Sequence, residues 1–552
     1  MVPSGVTSTG RQRVAAAGVG LAAALLHARA LGDGFVNWDD NRFITANPLF
    51  AAGGWGYVRA ALTRVQFDAY HPLHLLSYLP DRWLWRDDPA GFHALNLLLL
   101  AVTAALLFSL CRRVAGSGAA AVATLLFAAH PLVVEPAEWV SSRKDLLAAA
   151  FFLGAWLVED GRPVERTRPA AAGLALFVAA LLSKSSALCL PPILWCWLVW
   201  MRGASPRAAA WRLAPYAALA AVEAALVVTI WRAHQMIPPR PTPAAIDVLA
   251  TLATYGRRLL WPSDLAPLYP DTMPAPALSA AFAGAALIAA ALTWRRWPGP
   301  ARFALAAFLL ALLPVANLVP VVFRFADRYA FLALVVLAPP AAFGLQALLR
   351  RRGLARVAAL GGVAVAGAAL AVTTVRLGAG WRESRALWER ATAAQPDAFM
   401  GHLKYGETLR DAGDWTGAVR EYQAAVRLRP DSSLGYVALF YLYGKRAEAE
   451  GRLPSGAPAR WLGQLGAAID DRARFDRLIA EVPHGACPPC ANTLLLLNLR
   501  RWPRPDQRLL AAARAALEAG LPDVALVFLS QARDQSAPAW RDLLAATRGA
   551  GN

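Results

Sequence analysis

The chain has 552 residues, of which 57% are hydrophobic and 17% charged, with a mean hydropathy of +0.38 and a formal net charge of +19. So little charge cannot cover the surface of a soluble protein of this size, which excludes an ordinary globular enzyme and points to a polytopic membrane protein. The positive excess punctuates the apolar runs and does not gather into a patch with interleaved aromatics, so a nucleic-acid partner is not expected.

In chain order, about eleven apolar runs come near the length that crosses roughly 30 Å of hydrocarbon. They lie near residues 14–31, 93–111, 118–134, 146–158, 170–183, 187–201, 213–231, 277–294, 303–323, 329–349 and 354–375, and several are short or broken by Pro191, Pro192, Pro314 and Pro320. With Arg11 and Arg13 on the cytoplasmic side, each inside connection is arginine-rich. These carry Arg112/Arg113, then Arg162/Arg166/Arg168, Arg202/Arg207/Arg212, Arg295/Arg296/Arg302 and Arg350/Arg351/Arg352/Arg356, as the positive-inside rule requires. The outer connections are then 32–92, 135–145, the neighbourhood of 184, 232–276 and 324–328, and everything after about residue 376 also falls outside. Ala28-Arg29-Ala30 has the small-x-small form of a cleavage site, but the first run reads as a signal anchor because membrane protein follows it.

Residues 1–376 thus read as a transmembrane domain whose first outer loop is 32–92, and 381–552 as a polar, helical, periodic domain. In the latter, "ESRALWERATAAQP" and "TGAVREYQAAVRLRP" superpose at a spacing of about 34 residues, the period of a tetratricopeptide repeat. Ser384 falls on Ala418, Trp388 on Tyr422, Ala391 on Ala425 and Pro396 on Pro430, with Gly406 and Leu409 in the intervening helix. Such repeats hold a partner and do no chemistry. Cys487 and Cys490 have no second pair to build a zinc site; a small disulfide loop is the expectation, with free thiols or redox chemistry as alternatives.

Ionisable residues near the span ends gather on the outer face. They include Asp39 and Asp40 in "FVNWDDNRFITANPLF", Glu135, Glu138, Arg143, Lys144 and Asp145 in "HPLVVEPAEWVSSRKD", Lys184 in "LLSKSSALCLPP", and Arg324, Asp327 and Arg328 in "FRFADRY". His71, His74 and His93 flank the ends of the first outer loop. Charge at membrane depth is costly and marks function. A carboxylate pair suits a general base, and cations suit a departing phosphate. The plainer readings are a turn or helix cap for the aspartates, snorkelling for Arg143/Lys144, and ion pairing for Glu135 and for Asp327/Arg328.

Six stretches in order carry a resemblance: "FVNWDDNRFITANP", "YHPLHLLSYLPDRWLWRDDPAGFHALNLLL", "LLFAAHPLVVEPAEWVSSRKDLLAAAFFL", "LLSKSSALCLPPILW", "LLPVANLVPVVFRFADRYAF" and the trailing repeats. Together they resemble the GT-C superfamily of polytopic glycosyltransferases, and within it the transmembrane-and-tetratricopeptide O-mannosyltransferases and their bacterial relatives. The resemblance implies an all-α transmembrane bundle followed by a tetratricopeptide-like domain. It also implies inverting transfer of a sugar, with mannose the family default, from a polyprenyl-phosphate carrier to an acceptor on the extracytoplasmic side. The acidic pair of the first outer loop places the base at Asp39 and the second position at Asp40, where the protein O-mannosyltransferases usually have glutamate. Glu135, Arg143, Lys144, Lys184, Asp327 and Arg328 are the expected contacts to donor and phosphate.

The expected acceptor is a Ser or Thr hydroxyl of an envelope protein held by the repeats. A lipid or polysaccharide acceptor, or a non-catalytic scaffold, is the alternative. A lipid-linked sugar donor is the cosubstrate; the carboxylate pair leaves a divalent metal open without requiring one. Ala- and Arg-heavy usage points to a bacterial inner membrane, with the site and the C-terminal domain on the periplasmic side.

Overall fold

The computed structural model describes residues 5–66, 69–234, 243–270, 275–319, 323–429, scattered positions between 432 and 442, and 506–518, 522–532 and 534–550. Cys487 and Cys490 lie outside the described residues. Among the described residues the fold is all-α; the one departure is a single bridge between Gln66 and Ala69.

A helix stands at every span position read from the sequence. These are α1 (Gly5–Leu26), α5 (Pro89–Cys111), α6 (Ser117–Ala129), α8 (Arg143–Asp160), α9 (Ala171–Ser183), α10 (Leu190–Trp200), α11 (Pro206–Ala233), α13 (Pro276–Thr293), α14 (Gly299–Leu312), α15 (Phe331–Leu349) and α16 (Gly353–Gly378). Five segments are by themselves long and apolar enough to cross a membrane: Pro89–Cys111, Pro206–Ala233, Pro276–Arg296, Asp327–Leu349 and Gly353–Arg382. A sixth is formed if Ser117–Ala129 and Pro131–Glu138, bent by 66°, count as one span. The bend falls where His130 and Pro131 leave the helix before α7 (Val134–Glu138) resumes it. Pro191 and Pro192 stand in the first turn of α10, where no i−4 carbonyl needs their missing N–H. The membrane reading also explains faces that a soluble chain would hide. Phe282, Ile288 and Leu292 of α13 and Leu354, Val357 and Val365 of α16 are exposed, and lipid is the solvent that tolerates such a surface.

Five short elements fill the first outer loop: a π-helix at Asn41–Thr45, a 3-10 helix at Pro48–Ala52, then α2 (Gly53–Thr63), α3 (Pro72–Leu76) and α4 (Tyr78–Trp85). They close over a core of Phe43, Ile44, Tyr57, Leu75, Tyr78 and Phe92. An amphipathic helix, α12 (Ala244–Leu260), precedes α13. Several of the arginine-rich connections meet at one end of the bundle. Arg112 donates to Gln12 (2.8 Å), Arg113 to Asp160 (2.6 Å), and Arg202 pairs with Asp160 at 3.5 Å. Beside them Arg212, wholly buried, donates Nε to Glu159 (2.6 Å), and Tyr216 donates to the same carboxylate (3.0 Å).

The chain divides into two compact units, Met1–Gln395 and Pro396–Asn552. α17 (Ser384–Ala394) belongs to the first: Trp388 donates Nε1 to Asn37 Oδ1 (2.5 Å) and meets Trp38 edge-on at 5.3 Å. In the second unit α18 (Phe399–Asp411) packs on α19 (Trp415–Leu428) through buried Leu409, Ala418, Tyr422 and Ala425. α20 (Asp506–Glu518), α21 (Pro522–Ser530) and α22 (Pro538–Ala550) share a core of Ala513, Ala525, Leu529 and Leu543.

Candidate active site

Asp39 and Asp40 are neighbours in sequence with opposite fates. Asp40 is 1% exposed, and both its oxygens are occupied. Oδ2 accepts from the Val36 N–H (2.9 Å), while Oδ1 accepts from the Ser141 N–H (3.0 Å) and from the Ser141 hydroxyl. Burial pushes its pKa up to about 6 against those hydrogen bonds, with the adjacent Asp39 charge adding to the rise. Asp39 keeps its carboxylate at the surface of the site, 26% exposed, with Arg42 at 3.9 Å. Its backbone carbonyl takes the Arg42 and Phe43 amides (2.9 and 3.0 Å), and the Ala46 N–H then reaches back to Asn41 O (2.8 Å), which closes the π-helical turn. One turn of π-helix thus turns successive side chains to different surroundings, a geometry found frequently at functional sites.

Glu135, Asp327 and Arg328 form one buried assembly. Glu135 Oε2 accepts from the Arg328 backbone N–H (3.1 Å) and guanidinium (3.3 Å), and Arg328 stacks over Trp139 at 5.2 Å. Asp327 accepts from the Tyr269 hydroxyl (2.7 Å) and lies 3.7 Å from Arg258, whose guanidinium covers the Tyr269 ring at 3.8 Å. Lys184, at the break between α9 and α10, is paired with Asp145. Lys144 lies 5.3 Å over the Phe43 ring and makes no ion pair among the described residues. The charge of Asp39 acts on both Lys144 and Arg328, so these groups lie within electrostatic reach of one carboxylate.

Arg143 stands apart from these groups. It is wholly buried and its donors are committed: Nε to Asn96 (2.8 Å), Nη1 to Ser77 O (2.9 Å), Nη2 to Phe92 O (2.9 Å), with Asp81 as its ion-pair partner at 2.5 Å. It braces the first outer loop against α5 and α8. Glu138 is committed in the same way, to His27 (2.8 Å) and Arg29 (2.7 Å).

Sequence reasoning passed over Ser141, Asn96, Arg258 and Tyr269. Ser141 and Asn96 carry no local signal, since their importance is the distant partner. Arg258 had one: Asp247, Thr251, Tyr255 and Arg258, all buried, recur at helical spacing on one face of α12. Asp40 spends both its oxygens on Val36 and Ser141, and among the described residues no three His, Cys, Asp or Glu come together as a metal site.

No family model matches the chain, and no solved structure matches it. Curated relatives do. Protein O-mannosyl-transferase TMTC3 of Homo sapiens is 33% identical over 89 residues, 16% of this chain and 10% of that protein. Protein O-mannosyl-transferase TMTC1 of Mus musculus is 33% identical over 149 residues, 25% of this chain and 16% of that protein. Protein O-mannosyl-transferase tmtc2 of Xenopus laevis is 32% identical over 138 residues, 23% and 16% of the two chains. The matches thus span between 10% and 16% of the length of these three relatives. Over the matched segments the chain is similar to the TMTC protein O-mannosyl-transferases, and its apolar helices make it a multi-pass membrane protein.

Proposed function

We propose that this chain is a membrane glycosyltransferase that moves a sugar, mannose or another hexose, from a polyprenyl-phosphate carrier to a Ser or Thr hydroxyl of a protein. The observation that carries the reading is an open carboxylate, Asp39, within electrostatic reach of Lys144, a cation that makes no ion pair among the described residues, in a helical bundle with membrane-length helices. The similarity to protein O-mannosyl-transferases supports the same class of donor and acceptor.

The chemistry balances with these groups alone. Asp39 takes the proton of the acceptor hydroxyl as its oxygen attacks the anomeric carbon. The bond from that carbon to the phosphate oxygen breaks, its electron pair stays on the phosphate, and the configuration inverts. Lys144, with Lys184 and Arg328 behind it, offsets the charge that gathers on the departing polyprenyl phosphate. Glu135 and Asp327 hold Arg328 and its neighbours in place, and Asp40 fixes the turn that aims Asp39. No step is routed through a metal.

The convergence of the arginine connections at the other end of the bundle supports a cytoplasmic placement for that end and an extracytoplasmic one for Asp39, which in a bacterium is the periplasmic side of the inner membrane. The helical pairs of the second unit would hold the acceptor protein.

The test compares envelope glycopeptides by mass spectrometry in cells carrying the native chain or Asp39→Asn at matched expression. Loss of a hexose mass from Ser/Thr peptides is expected. An unchanged protein profile would sink the protein-acceptor reading with Asp39 as base.

A further inference from the structure

Glu223, Ser185 and His71 have no part in the mechanism above, yet they form a chain into the same site. Glu223 lies in α11, one of the segments able to cross a membrane by itself, and it is buried with no Lys, Arg or His in ion-pair distance among the described residues. An unpaired carboxylate at such a place is costly and marks a function. Its Oε1 meets the Ser185 hydroxyl at 2.5 Å. Ser185 follows Lys184 directly, and it presents two atoms to one nitrogen of His71. The Ser185 N–H donates to Nε2 (3.3 Å), and its hydroxyl oxygen lies 3.1 Å from the same Nε2.

That geometry assigns the tautomer. A nitrogen that accepts the Ser185 N–H carries no proton of its own, so the ring proton sits on Nδ1. The hydroxyl proton can go to Nε2, with Glu223 protonated and donating, or to Glu223; both arrangements leave Nδ1–H in place. Nδ1 has no hydrogen-bond partner among the described residues. Burial, and then the Lys144 and Lys184 charges, push the imidazole pKa down to about 3, so the ring is neutral and sits beside both lysines. A neutral N–H adds a directed hydrogen bond to a wall that already holds two ammonium groups, without the cost of a third buried charge.

We infer that His71 is a donor-binding residue whose Nδ1–H hydrogen-bonds the phosphate of the polyprenyl donor, and that Glu223 is a positioning residue acting on it through Ser185. This rests on the polyprenyl-phosphate reading above. Its readout is phosphate preference, the ratio of affinities for undecaprenyl phosphate and undecaprenol.

Both affinities are measured on the full chain in lipid nanodiscs. The native chain is expected to prefer the phosphate strongly. His71→Phe should lose about tenfold of that preference, the size expected for one hydrogen bond to a charged group. His71→Asn keeps an N–H near the Nδ1 position and should retain most of it. Glu223→Leu should behave as His71→Phe does, while Glu223→Gln, which can still accept from Ser185, should stay within about threefold of native. A native chain with no phosphate preference would overturn the polyprenyl-phosphate reading itself. A native preference that survives in His71→Phe would overturn this inference and leave that reading standing. So would a loss in His71→Phe that falls equally on phosphate and alcohol, because the effect would then not lie at the phosphate.

Discussion

Replacing Asp40 by Asn separates the two aspartates more sharply than any change to Asp39. The Asp40 carboxylate accepts three donors, one on Oδ2 and two on Oδ1. An amide has one oxygen, which best serves the Ser141 pair, so the Val36 N–H is left facing an NH2 group at a cost of about 1–3 kcal/mol. Against that stands the charge. Burial raises the pKa from an ordinary 3.8 to about 6, so the ionised form is the disfavoured one in the folded chain. The sign follows: this group's favourable contribution is complete below about pH 4 and is lost as pH rises through about 6. The full swing is about 3 kcal/mol, of which roughly 1 kcal/mol is recovered between pH 7 and pH 5. Asn cannot titrate. Native protein and Asp40→Asn should therefore be close in stability at pH 7, and the native chain should pull ahead by about 1 kcal/mol at pH 5. Thermal unfolding followed by tryptophan fluorescence, in detergent at pH 5, 6 and 7, reads the difference, with Asp39→Asn as the control that should keep most of the native slope, since the Asp39 charge is the smallest cause of the Asp40 shift. Equal slopes in native and Asp40→Asn would refute the reasoning, as would a slope abolished by Asp39→Asn.

Lys144→Gln should lower the initial rate with a polyprenyl-phosphate sugar at least tenfold with an unaltered melting temperature, and Lys144→Arg should keep part of the rate. A melting temperature that falls along with the rate would show Lys144 to be a packing residue. Arg212→Leu leaves Glu159 buried without its cation and should cost about 3–5 kcal/mol, seen as a collapse in detergent-stable yield. Adding Glu159→Gln to that variant should restore part of the yield, since the stranded charge is then gone. Gly406→Ala would place a methyl group inside the Tyr422 ring position, so the α18–α19 pair should open and become sensitive to limited proteolysis, with the first unit unaffected.

Much of this molecule is legible in its sequence because lipid makes demands that composition alone reveals. Apolar length gave the helices of the bundle, and arginine placement predicted which connections share an end; the contacts of Arg112, Arg113, Arg202 and Arg212 bring together the start of α1, the 112–113 connection, the end of α8 and the 202–212 connection. Length was less informative for the shorter helices. α9 and α10 are below the length of a free-standing span, and α8 ends in Glu159 and Asp160, whose charges are absorbed by Arg212 and Arg113. No periodicity reports that kind of pairing, since the partners lie in other helices. The first outer loop was legible as a loop but not as five short helices, because its apolar residues serve a local core around Tyr57 and Tyr78 and follow no single period.

The site shows where composition stops being informative. A guanidinium that would grip a phosphate and one that braces a loop are the same three letters in a sequence, and both favour a span end. What separates them is the count of donors already spent. Arg143 donates to three groups, pairs with Asp81 and is wholly buried, whereas Lys144, one residue on, points over Phe43 with no carboxylate in contact among the described residues. The same division splits Asp40 from Asp39. In each adjacent pair one residue fixes the backbone and the other is left with bonding capacity, and the committed member holds its neighbour in place. A charged pair at a membrane surface is therefore better read as a brace and its working partner than as two equivalent candidates, and the member with unspent hydrogen-bonding capacity is the one to mutate first for activity.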